Sequence, residues 1–146
     1  MTGWRAGYAV AKEPFMTALR KIVLYSTNGV TTFVQSAMIE ALKTPEAEIA
    51  RLREEYRKRR DLIVTGLNAV GLECEPPAGA FYAFPNVEKI HKDSMTAAQI
   101  LLEQAHIATI PGSVFGAQGE GHLRFGYAVT IEEIEACVEA LRKFFG

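Results

Sequence analysis

The chain has 146 residues, of which 49% are hydrophobic and 23% charged, a composition typical of a globular protein that can bury one core. The 16 Lys and Arg residues and 17 Asp and Glu residues give a net charge of -1, which creates no overall field to attract nucleic acid or an anionic membrane surface. We therefore expect neither of these partners, and any anion site must be local.

The first 43 residues open with an apolar segment that contains glycine. Residues 3–10 alternate small and large apolar side chains around Arg5, which predicts a mostly buried strand. Apolar residues at helical spacing then predict a helix over 15–24, and a second helix is predicted over 33–42.

The longest predicted helix runs from Thr44 to Leu67. Pro45 suits the first helical position, and the acidic residues that follow suit the first turn. Its predicted apolar stripe consists of Ile49, Leu52, Tyr56, Ile63 and Leu67. Its predicted ion pairs are Glu54 with Lys58 and Glu55 with Arg59. The basic run 57–60 has acidic neighbours and so predicts a solvated helix face.

Short strands and two more helices are predicted in the rest of the chain. The predicted strands lie near 72–75 and over 80–84, 107–110 and 122–128. One predicted helix begins at a Thr96–Gln99 capping box and runs to about His106. The final predicted helix is capped by Thr130 and Glu133. The glycine-rich segment 116–121 predicts a flexible turn. From Thr44 onward, this order predicts an α/β fold class, with an α+β small domain in which helices pack on a small sheet.

Two arginines, Arg5 and Arg124, each stand alone in apolar, strand-like sequence. A guanidinium in such a place is costly unless it meets an anion, and its planar fork suits a phosphate or a carboxylate. An internal salt bridge explains such a position equally well. The spacing alone does not decide between an internal partner and a ligand.

Four segments of this sequence occur in the same order in a known protein family. They are residues 1–8 (Met-Thr-Gly-Trp-Arg-Ala-Gly-Tyr), 77–82 (Pro-Ala-Gly-Ala-Phe-Tyr), 110–116 (Ile-Pro-Gly-Ser-Val-Phe-Gly) and 121–128 (Gly-His-Leu-Arg-Phe-Gly-Tyr-Ala). The four segments resemble, in the same order, four segments of class I and II aminotransferases. The first resembles the segment after the cofactor-binding lysine, and the second resembles the turn and strand of the small domain. The third resembles the loop before the last strands, and the fourth resembles the strand that carries the arginine for the substrate carboxylate. These are fold type I enzymes that use pyridoxal 5′-phosphate. Four ordered matches are a specific signal.

The resemblance implies roles for both arginines. Arg5 would help bind the phosphate of pyridoxal 5′-phosphate, and Arg124 would hold the α-carboxylate of an amino-acid substrate. The implied reaction moves an amino group between an amino acid and a 2-oxo acid. Residues 1–43 would be a remnant of the large cofactor-binding domain, and residues 44–146 the C-terminal small domain. Family enzymes are commonly homodimers, so a homo-oligomer is expected.

No catalytic residue is predicted within the chain. In the family, the lysine that forms the Schiff base lies shortly before the segment that residues 1–8 resemble, hence upstream of Met1. The lysines Lys12, Lys21 and Lys43 match other places in the family pattern. We therefore expect the C-terminal part of an aminotransferase, inactive alone.

No metal site is predicted either, because the histidines lack metal-ligand spacing. They are His91, His106 and His122. His122 falls on the Arg124 side of its predicted strand. The two cysteines, Cys74 and Cys137, are too few for a disulfide framework, so a reducing, cytoplasmic setting is expected.

Two alternatives stay open at the level of sequence. The parent enzyme could be a related fold type I lyase or acyltransferase, since those enzymes can keep both arginines. The chain could instead be a non-catalytic binding or interaction module of enzymatic ancestry. Assays for amino-group transfer, and for ligand binding by the chain alone, separate these alternatives.

Overall fold

The computed structural model describes residues Met1–Gly146 and divides into two compact units, Met1–Ile49 and Ala50–Gly146. The helices and strands are α1 (Phe15–Thr27), α2 (Thr32–Ala41), α3 (Glu46–Ala69), β1 (Tyr82–Ala83), α4 (Ser94–Ala105), β2 (Ile110–Pro111), β3 (Leu123–Gly126) and α5 (Ile131–Phe145). Between β2 and β3 lie a first 3₁₀ turn, Gly112–Phe115, and a second, Ala117–Gly119. This mixture of helices with a small sheet confirms the predicted α/β class.

The predicted strand over residues 3–10 is wrong. Residues 1–5 form turns, in which the Trp4 N–H donates to the Met1 carbonyl at 3.1 Å. Arg5 has a φ of 55°, in the left-handed region that an extended strand excludes. A strand also needs a partner for its backbone groups, and the unit Met1–Ile49 contains no other strand.

The unit Met1–Ile49 buries little apolar surface. Val34 is its one buried hydrophobic residue, whereas Tyr8 and Val10 are 71% and 85% exposed. Its two complete helices, α1 and α2, confirm the predicted helices, although α1 continues to Thr27. This unit therefore has helices but almost no core.

The long helix α3 confirms the predicted helix and shifts both of its ends by two residues. Its last turns bury Ile63 and Leu67, whereas Ile49 and Leu52 stay 40% and 41% exposed, so the predicted stripe is buried only towards its C-terminal end. The predicted ion pairs are wrong. Glu54 pairs instead with Arg57 at 2.7 Å, and Glu55 pairs with Arg51.

The three strands of the unit Ala50–Gly146 form an antiparallel sheet in the order β1-β3-β2. The register places Ala83 opposite Phe125 and Ile110 opposite Arg124. Leu123 and Phe125 are buried, while Arg124 between them is half-buried. The alternation predicted for this strand is confirmed, and Arg124 lies on the face turned away from the core.

The strand predicted near residues 72–75 does not form. Asn68 provides a local alternative to a strand ladder, because its side-chain amide donates to the Cys74 carbonyl at 2.9 Å and accepts from the Cys74 N–H at 3.1 Å. The Glu73 carbonyl accepts from the Asn86 N–H at 2.8 Å. Side-chain bonds of this kind satisfy the backbone without strand pairing.

The two C-terminal helices begin with side-chain caps. The predicted Thr96–Gln99 capping box is wrong, because Asp93 caps α4 by accepting from the Thr96 N–H at 2.7 Å. The predicted box at α5 is confirmed. The Glu133 N–H donates to Thr130 Oγ1 at 3.2 Å, and the Thr130 N–H donates to the Glu133 carboxylate at 2.8 Å.

Helices α3 and α5 meet closely in the core. Ile134, Val138 and Leu141 of α5 are buried, as their spacing predicts. A Cβ added to Gly66 of α3 would lie 2.2 Å from Val138 Cγ2, so only glycine allows this approach. None of the helices combines the length and apolar character that crossing a bilayer requires.

Candidate functional site

The Arg124 guanidinium is held by aromatic rings. Its Cζ lies 4.3 Å from the centroid of the Tyr82 ring on β1 and 5.0 Å from that of Phe115 in the first 3₁₀ turn. These distances are within the range of cation–π contacts. Pairing of β1 with β3 places Tyr82 near Arg124, and the loop between β2 and β3 carries Phe115.

No acidic side chain of the protein forms an ion pair with Arg124, and no residue of the protein accepts a hydrogen bond from its guanidinium. The internal salt bridge that the sequence left open is therefore not formed. A half-buried guanidinium with free N–H donors is an arrangement suited to an incoming carboxylate, which can accept two parallel hydrogen bonds.

A cleft of about 580 Å³ continues along the same face of the sheet. Tyr82, Phe84 and His122 line its aromatic side. The His122 ring stacks on Phe84 with centroids 5.2 Å apart and an interplanar angle of 11°, and one of its ring nitrogens, Nδ1, lies 3.0 Å from the Glu120 carbonyl oxygen. His122 thus shares the Arg124 side of the strand, as its position in the alternation predicts.

Sequence reasoning misses Tyr82 and Phe84 as site residues, and it also misses Phe115. The glycine-rich segment after it predicts a flexible turn, but the structure forms a second 3₁₀ turn there, with the Gly119 N–H donating to the Gly116 carbonyl at 2.9 Å. Tyr82 and Phe84 carried a usable signal, because strand residues on either side of a buried alanine share the outer face. A loop residue such as Phe115 has no comparable periodicity.

Arg5 lies in the other compact unit, in the turn at the start of the chain. Its backbone N–H donates to the Thr2 carbonyl at 3.0 Å, while its side chain is exposed and has no ion-pair partner. Its guanidinium is accessible to an anion such as a phosphate. Arg5 and Arg124 belong to different compact units.

The two cysteines are not activated nucleophiles. Burial raises the pKa of the Cys74 thiol and also that of the Cys137 thiol. A raised pKa keeps a thiol protonated near neutral pH, and the thiolate is the reactive form. Their apolar packing agrees with a structural role.

Comparison with known proteins gives one consistent result. Residues 1–141 match the family described as aminotransferase class I and II. The aspartate aminotransferase of Pyrococcus horikoshii is 37% identical over 146 residues, and the LL-diaminopimelate aminotransferase of Moorella thermoacetica is 35% identical over 146 residues. The alignments cover 98% and 100% of this chain but only 37% of each relative.

The structure agrees with these sequence matches. An aromatic aminotransferase from Pyrococcus horikoshii superposes with a TM-score of 0.85 at 36% identity, over 99% of this chain and 39% of that one. An aspartate aminotransferase from Thermus thermophilus, solved with maleate, superposes with a TM-score of 0.81 at 40% identity, over 99% of this chain and 37% of that one. Sequence and structure together show that this chain belongs to the class I and II aminotransferase family.

Proposed function

We propose that this chain carries the substrate-carboxylate site of an enzyme that moves an amino group between an amino acid and a 2-oxo acid. The observation that carries the proposal is the Arg124 guanidinium, which two aromatic rings hold and no acidic residue neutralises. Both substrates have a carboxylate next to the reacting carbon. One fixed guanidinium can therefore bind and orient each of them in turn.

Arg124 acts in this proposal by binding the carboxylate and orienting the substrate. The Tyr82 and Phe115 rings contact the guanidinium at cation–π distances, and these contacts favour one position of the side chain. The solved relative with maleate supports a carboxylate ligand, since maleate is a dicarboxylate. Such a site contributes to rate by restricting the translational and rotational freedom of the substrate before the chemical step.

The proposed cofactor is pyridoxal 5′-phosphate, for which the family is the support. Of the residues in this chain, Arg5 would hold the phosphate, and its exposed, unpaired guanidinium has the donor chemistry for that role. When bound, the cofactor supplies an electron sink for bonds at the amino-acid α-carbon.

We further propose that the chain is the C-terminal part of a longer, cytoplasmic, homo-oligomeric aminotransferase. Residues 1–43 would belong to its large domain and residues 44–146 to its small domain. The support for a longer chain is that these 146 residues span 37% of the length of the relatives they match. The 146 residues alone are then expected to transfer no amino groups, because the lysine of the family reaction is supplied from outside them.

The first prediction concerns Arg124→Gln in the complete enzyme. The KM of both the amino acid and the 2-oxo acid should rise roughly ten- to a hundredfold, because hydrogen bonds to a charged group contribute about 1.5–3 kcal/mol. Steady-state transfer from L-glutamate or L-aspartate to 2-oxo acids measures this. Arg142→Gln is the matched control, since Arg142 is an exposed arginine on α5 beside Glu139.

Equal KM values in the Arg124 variant and the control would overturn the carboxylate role. Release of ammonia with no transfer to a 2-oxo acid would assign the complete enzyme to the related lyases. Amino-group transfer by the 146-residue chain alone would refute the proposal that it is inactive by itself.

A further inference from the structure

A buried polar contact lies behind the loop that carries Phe115. Ser94, the first residue of α4, is fully buried. Its N–H donates to Glu120 Oε1 at 2.6 Å, and the same oxygen accepts from the Gly121 N–H at 3.1 Å. The N–H groups of a first helical turn have no partner within the helix, so the Glu120 carboxylate satisfies one of them from outside α4.

The Ser94 hydroxyl extends this contact to the first 3₁₀ turn. It lies 3.0 Å from Ser113 Oγ and accepts from the Ser113 N–H at 3.3 Å. Ser113 and Phe115 belong to the same turn. The Glu120 carboxylate and the Phe115 ring are thus linked through Ser94 and Ser113.

The backbone closes the same loop on its other side. The Gly112 N–H donates to the His122 carbonyl at 2.8 Å. A Cβ added to Gly112 would lie 1.8 Å from the Gly119 carbonyl oxygen, which shows how closely the two 3₁₀ turns pack. These backbone contacts, together with the Ser94–Ser113 hydrogen bonds, restrict the movement of the turn that carries Phe115.

We infer that Glu120 is a positioning residue for Arg124: its carboxylate fixes Ser94 at the start of α4, and the Ser94 hydroxyl in turn holds Ser113 and so keeps the Phe115 ring against the guanidinium. This inference rests on the proposed carboxylate-binding role of Arg124. Glu120 itself touches no reacting atom and acts through Phe115.

The charge state of Glu120 suits this role. Hydrogen bonds from the Ser94 and Gly121 N–H groups lower the pKa of its carboxyl group. The carboxylate therefore stays ionised at neutral pH, and hydrogen bonds to an ionised acceptor are stronger than neutral ones.

The test uses Glu120→Ala in the complete enzyme with L-glutamate and a 2-oxo acid. The KM of both substrates should rise about tenfold, while kcat changes little. This rise is smaller than the ~100-fold loss of rate that a 1 Å misplacement of a catalytic group can cause. Glu120→Gln keeps an acceptor oxygen and should restore KM to within about threefold of the wild type. Glu135→Ala, which removes an exposed carboxylate on α5, is the control.

A double-mutant cycle with Phe115→Leu distinguishes positioning from a loss of stability. Phe115→Leu should raise KM by itself, and adding Glu120→Ala should then have little further effect, because both changes release the same contact. Independent effects that multiply would overturn the inference, as would an unchanged KM in a folded Glu120→Ala enzyme. If that variant does not fold, Glu120→Asp, whose shorter side chain keeps the charge, replaces it in the cycle with the same expected result.

Failure of this inference and failure of the proposed function give different results. If Arg124→Gln raises KM but the Glu120 variants do not, only the positioning role is overturned. If Arg124→Gln leaves KM unchanged, the carboxylate role itself is refuted, whatever the Glu120 variants do.

Discussion

At the scale of single residues, Arg124 illustrates how a sheet can hold a charge without an opposite charge. The guanidinium lies over two aromatic rings, with its Cζ 4.3 Å from the Tyr82 centroid and 5.0 Å from the Phe115 centroid. The N–H groups lie along the edges of the guanidinium plane and remain available. An internal carboxylate would occupy these same donors, so its absence leaves them free for the carboxylate ligand of the proposed function.

Gly66 gives a prediction at the same scale. Gly66→Ala should lower the free energy of unfolding by about 1–3 kcal/mol, because the new methyl group would overlap Val138 in a packed core. This cost exceeds the ~1 kcal/mol by which alanine favours a helix over glycine. Urea denaturation followed by circular dichroism measures the change.

Two further variants test whether overlap with Val138 causes the loss of stability. Thr65→Ala, at an exposed position of α3, should leave the midpoint nearly unchanged. Adding Val138→Ala to Gly66→Ala should recover part of the loss, since it removes the methyl groups that are overlapped. A Gly66→Ala protein as stable as the wild type would show that the helices separate at little cost.

At the scale of elements, the cap of α5 predicts a dependence of stability on pH. Hydrogen bonds from the backbone and side chain of Thr130 lower the pKa of the Glu133 carboxyl group in the folded state. Its contribution to stability is therefore complete above the ordinary value of 4.5 and is lost as the pH falls through the lower folded value.

The measurement compares the wild type with Glu133→Gln by urea denaturation between neutral and acidic pH. The wild type should be the more stable protein at pH 7, and its advantage should shrink as the carboxyl group is protonated in both states. Glu132→Gln, in the same first turn of α5, controls for the general effect of the helix dipole. A stability difference that stays constant down to strongly acidic pH would contradict the assignment.

The elements also show which parts of a sequence predict structure. Helix α5 could be predicted because its capping box and its buried stripe are both local patterns. Strand β3 could be predicted because its two faces meet different surroundings, so its side chains alternate. In contrast, residues 3–10 have a strand-like pattern without a neighbouring strand to pair with, and pairing is not a local property.

The candidate site also combines features that a local sequence pattern predicts with contacts that depend on the folded chain. The residue type and strand position of Arg124 could be predicted, together with its placement opposite the core. Its contact with Phe115 could not, because the two residues are brought together by the folding of a loop. The role of Asp93 as the α4 cap was also missed, because the competing Thr96–Gln99 pair has the same spacing as a capping box.

At the scale of the whole molecule, the two compact units differ in how much core they bury. The unit Ala50–Gly146 has a continuous core that includes Leu67, Leu101 and Leu123, each fully buried. The unit Met1–Ile49 leaves large apolar side chains such as Trp4 and Phe15 more than half exposed. Burial of apolar area is the main source of stability, so the two units should differ in local stability.

Amide hydrogen exchange of the 146-residue chain tests this expectation. Amides of α1 and α2 should exchange at least about 100-fold faster than those in the buried part of α4, since local opening there disrupts fewer apolar contacts. Repeating the measurement at several protein concentrations controls for self-association of the exposed apolar surface. Equal protection of both units in a monomer would contradict the expectation.

The ring-lined setting of Arg124 has a consequence for selectivity. The ring contacts already form in the folded protein, so the guanidinium is partly preorganised before a ligand binds. A guanidinium site of this kind recognises a small anion mainly by the positions of the two oxygens that accept its hydrogen bonds. On the proposed function, amino donor and oxo product compete for one place, and a high concentration of acetate or formate should inhibit the enzyme by occupying it.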